Sequence, residues 1–116
     1  MNTKFDHIET HVKDIKRYCV FLILIFEGGQ YQKISESGTS MFTSPEGINI
    51  EVKKSKIDKL PIATGFCNPC LRRSDAKNFI KGLGFEIEKE LQSPEGPVYF
   101  FNDHEGIQWH MKDRNE

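Results

Sequence analysis

The sequence predicts an α+β fold made of two successive βαβββ modules. Three observations carry that prediction. The stretch Glu46-Gly47-Ile48-Asn49-Ile50-Glu51-Val52-Lys53 recurs fifty-nine residues later as Glu105-Gly106-Ile107-Gln108-Trp109-His110-Met111-Lys112. Both copies alternate apolar and polar residues, the period of a strand with two unlike faces. An apolar, helix-length segment ending in glycine precedes the later strands of each half. Glu, Gly, Ile and Lys hold their places between the copies, and one change alters the chemistry: Glu51 corresponds to His110.

Taken in order, Phe5 to Val12 reads as the first strand. His7, Glu9 and His11 share one face; Ile8, Thr10 and Val12 share the other. Asp14 is suited to cap a helix running to about Glu27 and stopping at Gly28-Gly29. Short strands follow at Tyr31 to Ile34 and Thr39 to Thr43, around the turn-rich Ser35-Glu36-Ser37-Gly38. Ser44-Pro45-Glu46-Gly47 turns the chain into the closing strand, with Ile48, Ile50 and Val52 on one face and Asn49, Glu51 and Lys53 on the other. Module one is expected over about 4–54 and a charged linker over about 55–61.

Module two, about 62–112, opens with an expected strand from Ala63 to Cys70. Ser74 is the expected cap of a helix closed by Gly82 or Gly84, in which Phe79 matches Phe21 at a spacing of fifty-eight. Strands follow at Phe85 to Leu91 and Val98 to Phe101. Ser93-Pro94-Glu95-Gly96 lies between them, one hairpin earlier than its module-one namesake. On the final strand Ile107, Trp109 and Met111 oppose Gln108, His110 and Lys112, which predicts Trp109 in the core.

Composition narrows the function classes. The chain has 116 residues and a net charge of −1, so it fits a single domain and offers no concentrated basic face for nucleic acid. The longest apolar run, Val20 to Phe26, is too short to span a bilayer, and no signal-peptide pattern opens the chain. A cytoplasmic protein without membrane or nucleic-acid partners is the expectation. Three cysteines, an odd number, do not suggest a disulfide framework, and Cys19 reads as core. Cys67-Asn68-Pro69-Cys70 has redox spacing, but on a strand its thiols would point to opposite faces, and no helix follows directly.

A doubled βαβββ module with His7 in the opening strand and Gly47-Ile48-Asn49-Ile50-Glu51 in the closing one resembles the vicinal oxygen chelate superfamily. That superfamily holds glyoxalase I, extradiol dioxygenases, and the bleomycin and fosfomycin resistance proteins. The resemblance spans roughly residues 4–112. It implies mixed sheets curled around a cavity, with helices on the convex faces, and a homodimer.

It also implies where chemistry would sit. Metal-using members draw ligands from the first and last strands of each module. Here those places fall on His7, Glu51 and His110, with the fourth at Thr64 or Gly65, neither a usual ligand. Such a set suits Fe(II), Mn(II), Ni(II) or Zn(II) acting as a Lewis acid in a lyase, isomerase or dioxygenase. Glu9, on the face of His7, is the candidate general base. The other implied reading is a metal-free protein of the bleomycin-resistance type that binds a small organic molecule. The missing fourth ligand tilts the reading that way. Candidate cavity residues are His11, Asn49, Cys67, Gln108, Phe42, Tyr99 and Phe101, the aromatics forming an apolar wall or else packing beneath the helices.

Overall fold

Each half of the duplicated sequence folds into a four-stranded mixed sheet carrying one helix. The computed structural model describes residues 4–55 and 68–114. The chain divides into two units, Met1–Phe66 and Cys67–Glu116.

In unit one, β1 (Ile8–Val12), α1 (Ile15–Ile25), β2 (Gln30–Lys33), β3 (Ser40–Thr43) and β4 (Asn49–Lys54) form a sheet in the order β1-β4-β3-β2. The β1–β4 pair is parallel and the other two pairs are antiparallel. A parallel pair needs a long crossover, and α1 lies within it. Asp14 caps α1 as expected, its carboxylate accepting from the Arg17 N–H at 3.0 Å. Gly29 then brings the chain hard against the sheet at φ +95°. A Cβ there would lie 2.5 Å from the Thr43 carbonyl oxygen and 2.9 Å from the Phe42 ring.

The strand parity read from sequence holds. Thr10, Val12, Ser40, Phe42, Ile50 and Val52 are buried, as are Tyr18, Cys19, Phe21, Leu22 and Ile25 of α1. Each large apolar side chain so buried contributes about 1.5–3 kcal/mol. Ile48, expected to join this face, precedes β4 and is exposed.

In unit two, β5 (Cys70–Arg73), α2 (Ala76–Gly82), β6 (Lys89–Ser93), β7 (Gly96–Asn102) and β8 (Gln108–Asp113) repeat the arrangement as β5-β8-β7-β6. Trp109, Phe101, Met111, Ile80 and Ala76 form its core, with Phe85 stacked 5.3 Å from Phe101. No described helix is long and apolar enough to cross a membrane.

Three details of module two differ from expectation. Of the opening strand expected over 63–70, residues 63–67 lie outside the described residues, 68 and 69 are not strand, and β5 begins at Cys70. Asn68 just before it has φ +52°, outside the extended region. The helix cap is Asp75, at φ +54°, not Ser74; its carboxylate accepts from Asn78 Nδ2 instead of a helix N–H. Since Asp14 and Asp75 both precede their helices, the helices correspond at a spacing of sixty-one, and Phe79 matches Tyr18 rather than Phe21.

The turn before each closing strand keeps the original spacing. Ser44 N–H donates to Ile48 O at 2.9 Å, and Gly47 N–H donates to Ser44 O at 2.9 Å. Asp103 N–H donates to Ile107 O at 2.9 Å, and Gly106 N–H donates to Asp103 O at 3.0 Å. Gly47 and Gly106 hold positive φ in these turns, +91° and +86°.

Candidate functional site

The face of each sheet turned away from its helix carries the polar residues. In unit one the β1–β4 register makes Glu9 and Glu51 direct partners, and His11 and Lys53 direct partners. These four side chains and His7 form one chain of contacts. His7 Nε2 lies 3.7 Å from Glu51 Oε1, and His7 Nδ1 donates to Asp6 Oδ2 at 2.6 Å. His11 Nε2 donates to Glu9 Oε2 at 2.6 Å. Lys53 Nζ sits between the two carboxylates, 3.1 Å from Glu9 Oε1 and 3.7 Å from Glu51 Oε1.

The charges follow. The hydrogen bond to Asp6 raises the His7 pKa above its ordinary value, aided by the Glu51 and Glu9 charges. Hydrogen bonds from His11 and then Lys53 bring the Glu9 carboxyl down to about 2. Its hydrogen bond to Glu9 raises Lys53. A carboxylate so acidic is a weak proton acceptor at neutral pH, which counts against Glu9 as a general base.

The same face continues across β3 and β2 into a cleft of about 300 Å³, lined by Gln30, Gln32, Ile34, Met41, Thr43 and Tyr31. Met41 is the direct partner of Glu51, and Thr43 of Asn49. Asn49 is held in place: Thr43 Oγ1 donates to its Oδ1 at 2.7 Å, and its Nδ2 donates to the Asp6 carbonyl at 3.2 Å.

In unit two the β5–β8 register pairs Cys70 with His110 as β1–β4 pairs Glu9 with Glu51. Two residues before each first partner stand His7 and Asn68. Asn68 therefore stands in unit two where His7 stands in unit one, while Thr64 and Gly65, the expected fourth place, lie outside the described residues. It touches the closing strand as His7 does: His110 Nδ1 donates to Asn68 Oδ1 at 3.0 Å. That bond leaves the lone pair on Nε2. Burial, with help from Lys112, lowers the His110 pKa, so the ring is neutral at pH 7. Phe100 stacks on it at 5.0 Å, and Lys89 Nζ lies 4.4 Å from the Phe100 centroid.

The other sequence candidates separate by face. His7, Glu9, His11, Asn49 and Glu51 come together on unit one, while His110 and Gln108 share the equivalent face of β8. Phe42, Tyr99 and Phe101 are corrections: all three are buried on the helix-covered faces, paired with Ile50, Met111 and Trp109. The aromatic on the open face of β7 is Phe100, opposite His110. Cys67, like Thr64 and Gly65, lies outside the described residues. Cys70 is exposed, and burial of its sulfur pushes its pKa up. Burial pushes the Cys19 thiol to about 11, as befits a core residue.

Sequence reasoning passed over Asn68, Phe100, Lys53 and the cleft residues. Asn68 was within reach, because Asp14 and Asp75 give the spacing that carries His7 onto it.

Whether a divalent ion suits these residues turns on the donor set. Among the described residues no group of three or more His, Cys, Asp or Glu could hold a metal ion. In unit one the ammonium of Lys53 is held by both carboxylates. The open face of unit one therefore does not fit a divalent ion while Lys53 keeps that place.

No protein-family model matches the chain, and no curated protein matches it by sequence. Solved structures match it over nearly its whole length. One is a variant of the fosfomycin resistance protein FosX from Listeria monocytogenes, complexed with Mn(II) and 1S,2S-dihydroxypropylphosphonic acid. It has a TM-score of 0.73 and 24% identity, covering 99% of this chain and 93% of that one. FosX from Mesorhizobium loti matches with a TM-score of 0.67 and 17% identity, covering 99% and 95%. A glyoxylase/bleomycin resistance protein/dioxygenase domain from Frankia sp. EAN1pec matches with 0.70 and 14%, covering 100% and 95%. These neighbours belong to the vicinal oxygen chelate superfamily, and the fold expected from the resemblance is the fold found.

Proposed function

We propose that this chain binds a small organic molecule on the open face of its sheets, as a homodimer in the cytoplasm and without needing a metal. The observation that supports this best is the cleft beside Met41 and Thr43, continuous with Glu51 and Asn49. Its volume of about 300 Å³ sits at the small end of ligand pockets. Its lining pairs amides and a hydroxyl (Gln30, Gln32, Thr43) with apolar Met41 and Ile34. That combination suits a compact neutral molecule with one planar or apolar side and several hydrogen-bonding groups.

Thermal shift with a panel of small aromatic and heteroaromatic compounds tests the reading. The expected result is a saturable rise in Tm that survives chelator and disappears in Met41→Glu. A panel without any saturable shift overturns it.

A second reading draws on the Mn(II) in the Listeria FosX structure and on the Nε2 lone pair of neutral His110. In it the chain is a divalent-metal-dependent lyase, isomerase or dioxygenase using His7, Glu51 and His110, the metal supplying Lewis acidity. Metal content of protein purified without chelator or His tag decides it. This reading expects metal that is lost in each of His7→Ala, Glu51→Ala and His110→Ala.

A further inference from the structure

On the open face of unit one, we infer that Lys53 is a built-in cation, occupying the place between Glu9 and Glu51 that a divalent ion would otherwise take. The inference rests on the metal-free reading proposed above and says what makes that face metal-free.

The parallel β1–β4 pairing sets Glu9 and Glu51 directly opposite each other on one face. Two ionised carboxylates in that relation repel, and a sheet that keeps them needs a positive charge between. The charge comes from Lys53, two residues beyond Glu51 and so on the same face. Its Nζ reaches both carboxylates, at 3.1 and 3.7 Å. Imidazoles flank the group on both sides, His11 on Glu9 and His7 on Glu51. Carboxylate and imidazole are donors of the kind that transition metals take, but as placed no three of these groups among the described residues could hold an ion. What lies within reach of both carboxylates is the ammonium. A shift of register cannot remove it, because that would turn the apolar half of β4 to solvent.

Unit two supplies an internal control. Lys112 occupies on β8 the place of Lys53 on β4, but the opposed pair there is Cys70 and His110, with no carboxylates. Lys112 instead meets Glu95 at 3.2 Å. The same residue at the same register turns to a carboxylate pair where one exists and elsewhere where none does.

The test is Mn(II) titration of the full chain by electron paramagnetic resonance, which reads free Mn(II) directly, with Zn(II) calorimetry beside it. Wild type, Lys53→Gln, Lys53→Arg and the double variant Lys53→Gln/Glu51→Gln are compared. Removing the ammonium is expected to tighten Mn(II) binding by about tenfold or more. Lys53→Arg, which keeps the charge, is expected to bind like wild type, and the double variant to lose the gain. A folded Lys53→Gln protein with unchanged affinity overturns the inference. So does wild type that binds one Mn(II) tightly and loses it in Glu51→Gln, a comparison that decides even if Lys53→Gln fails to fold. Failure here leaves the chelator-insensitive ligand shift standing, whereas a failed ligand panel leaves the Mn(II) result standing.

Discussion

Unit one and unit two share a strand order, a register and a closing turn, yet the opposed residues at the same places of their open faces carry different chemistry. On β1 and β4 the opposed residues are acids, tied into a charged chain from His7 to His11. On β5 and β8 the same places hold Cys70, Asn68 and a neutral His110 under Phe100. The helix-covered faces did not diverge in kind: Ile50 and Val52 are buried in one, Trp109 and Met111 in the other. Alternation along a strand separates the two demands. One set of alternate residues keeps the sheet attached to its helix, and the other set is free to change. The difference teaches that the duplication preserved a scaffold and left two acids opposed in one half and a thiol opposed to an imidazole in the other.

The sharpest way to test the shared scaffold is at the closing turn, where the halves solve one problem with unequal means. Ser44 Oγ accepts a single backbone bond, from Ile48 N–H at 3.0 Å. Asp103 accepts three, from Glu105 N–H, Ile107 N–H and Trp109 Nε1, at 2.9, 3.0 and 2.9 Å. Both residues are buried. Asp103→Ala strands three donors, one of them a core indole, and is expected to cost about 3 kcal/mol or more. Ser44→Ala is expected to cost about 1 kcal/mol. Urea unfolding measures both, and equal costs would break the comparison.

How much of this could be read beforehand follows from the same asymmetry. Alternation exposed the strands of both modules, and Asp14 and the Gly47 and Gly106 turns marked helix start and strand entry. The second module's first strand, expected over 63–70, meets β5 only at Cys70 among the described residues, because the helices were matched at fifty-eight residues. The two helices correspond at sixty-one residues, and the closing turns at fifty-nine, so the second module is two residues shorter in between. The orientation of the aromatics failed for another reason. Tyr99, Phe100 and Phe101 are consecutive, so aromatic character alone does not choose a face. Pairing with Met111, His110 and Trp109 does, and pairing is long-range. Lys53 was visible as a residue, but its role depends on Glu9 lying opposite Glu51, which only the register supplies.

The two faces should also titrate in opposite directions. His7 gains Asp6 on folding, so its folded pKa lies above the ordinary 6.5. The stability it contributes is present in full below the unfolded pKa and is lost as pH rises through the folded one. His110 is disfavoured as a cation by burial and by Lys112. Its neutral form imposes no penalty above 6.5, and stability declines as pH falls from there through the depressed folded value. Proton NMR of the His Cε1–H signals, assigned with His7→Gln and His110→Gln, is expected to give midpoints on opposite sides of 6.5. Two midpoints on the same side would show that the halves are electrostatically alike.

The smallest expected effect separates the two causes acting on His110. Burial is the larger and the Lys112 charge the smaller. Lys112 is also exposed enough, at 36%, for its ion pair with Glu95 to be well screened. Lys112→Gln should therefore leave the urea midpoint unchanged within error, since Arg114 still holds Glu95 at 2.6 Å. The His110 midpoint should move upward yet stay below 6.5, because the ring remains half-buried, stacked on Phe100 and bonded to Asn68. A midpoint that crosses 6.5 would make charge the dominant cause. The neutrality of His110 would then belong to one surface lysine and not to the packing of the sheet.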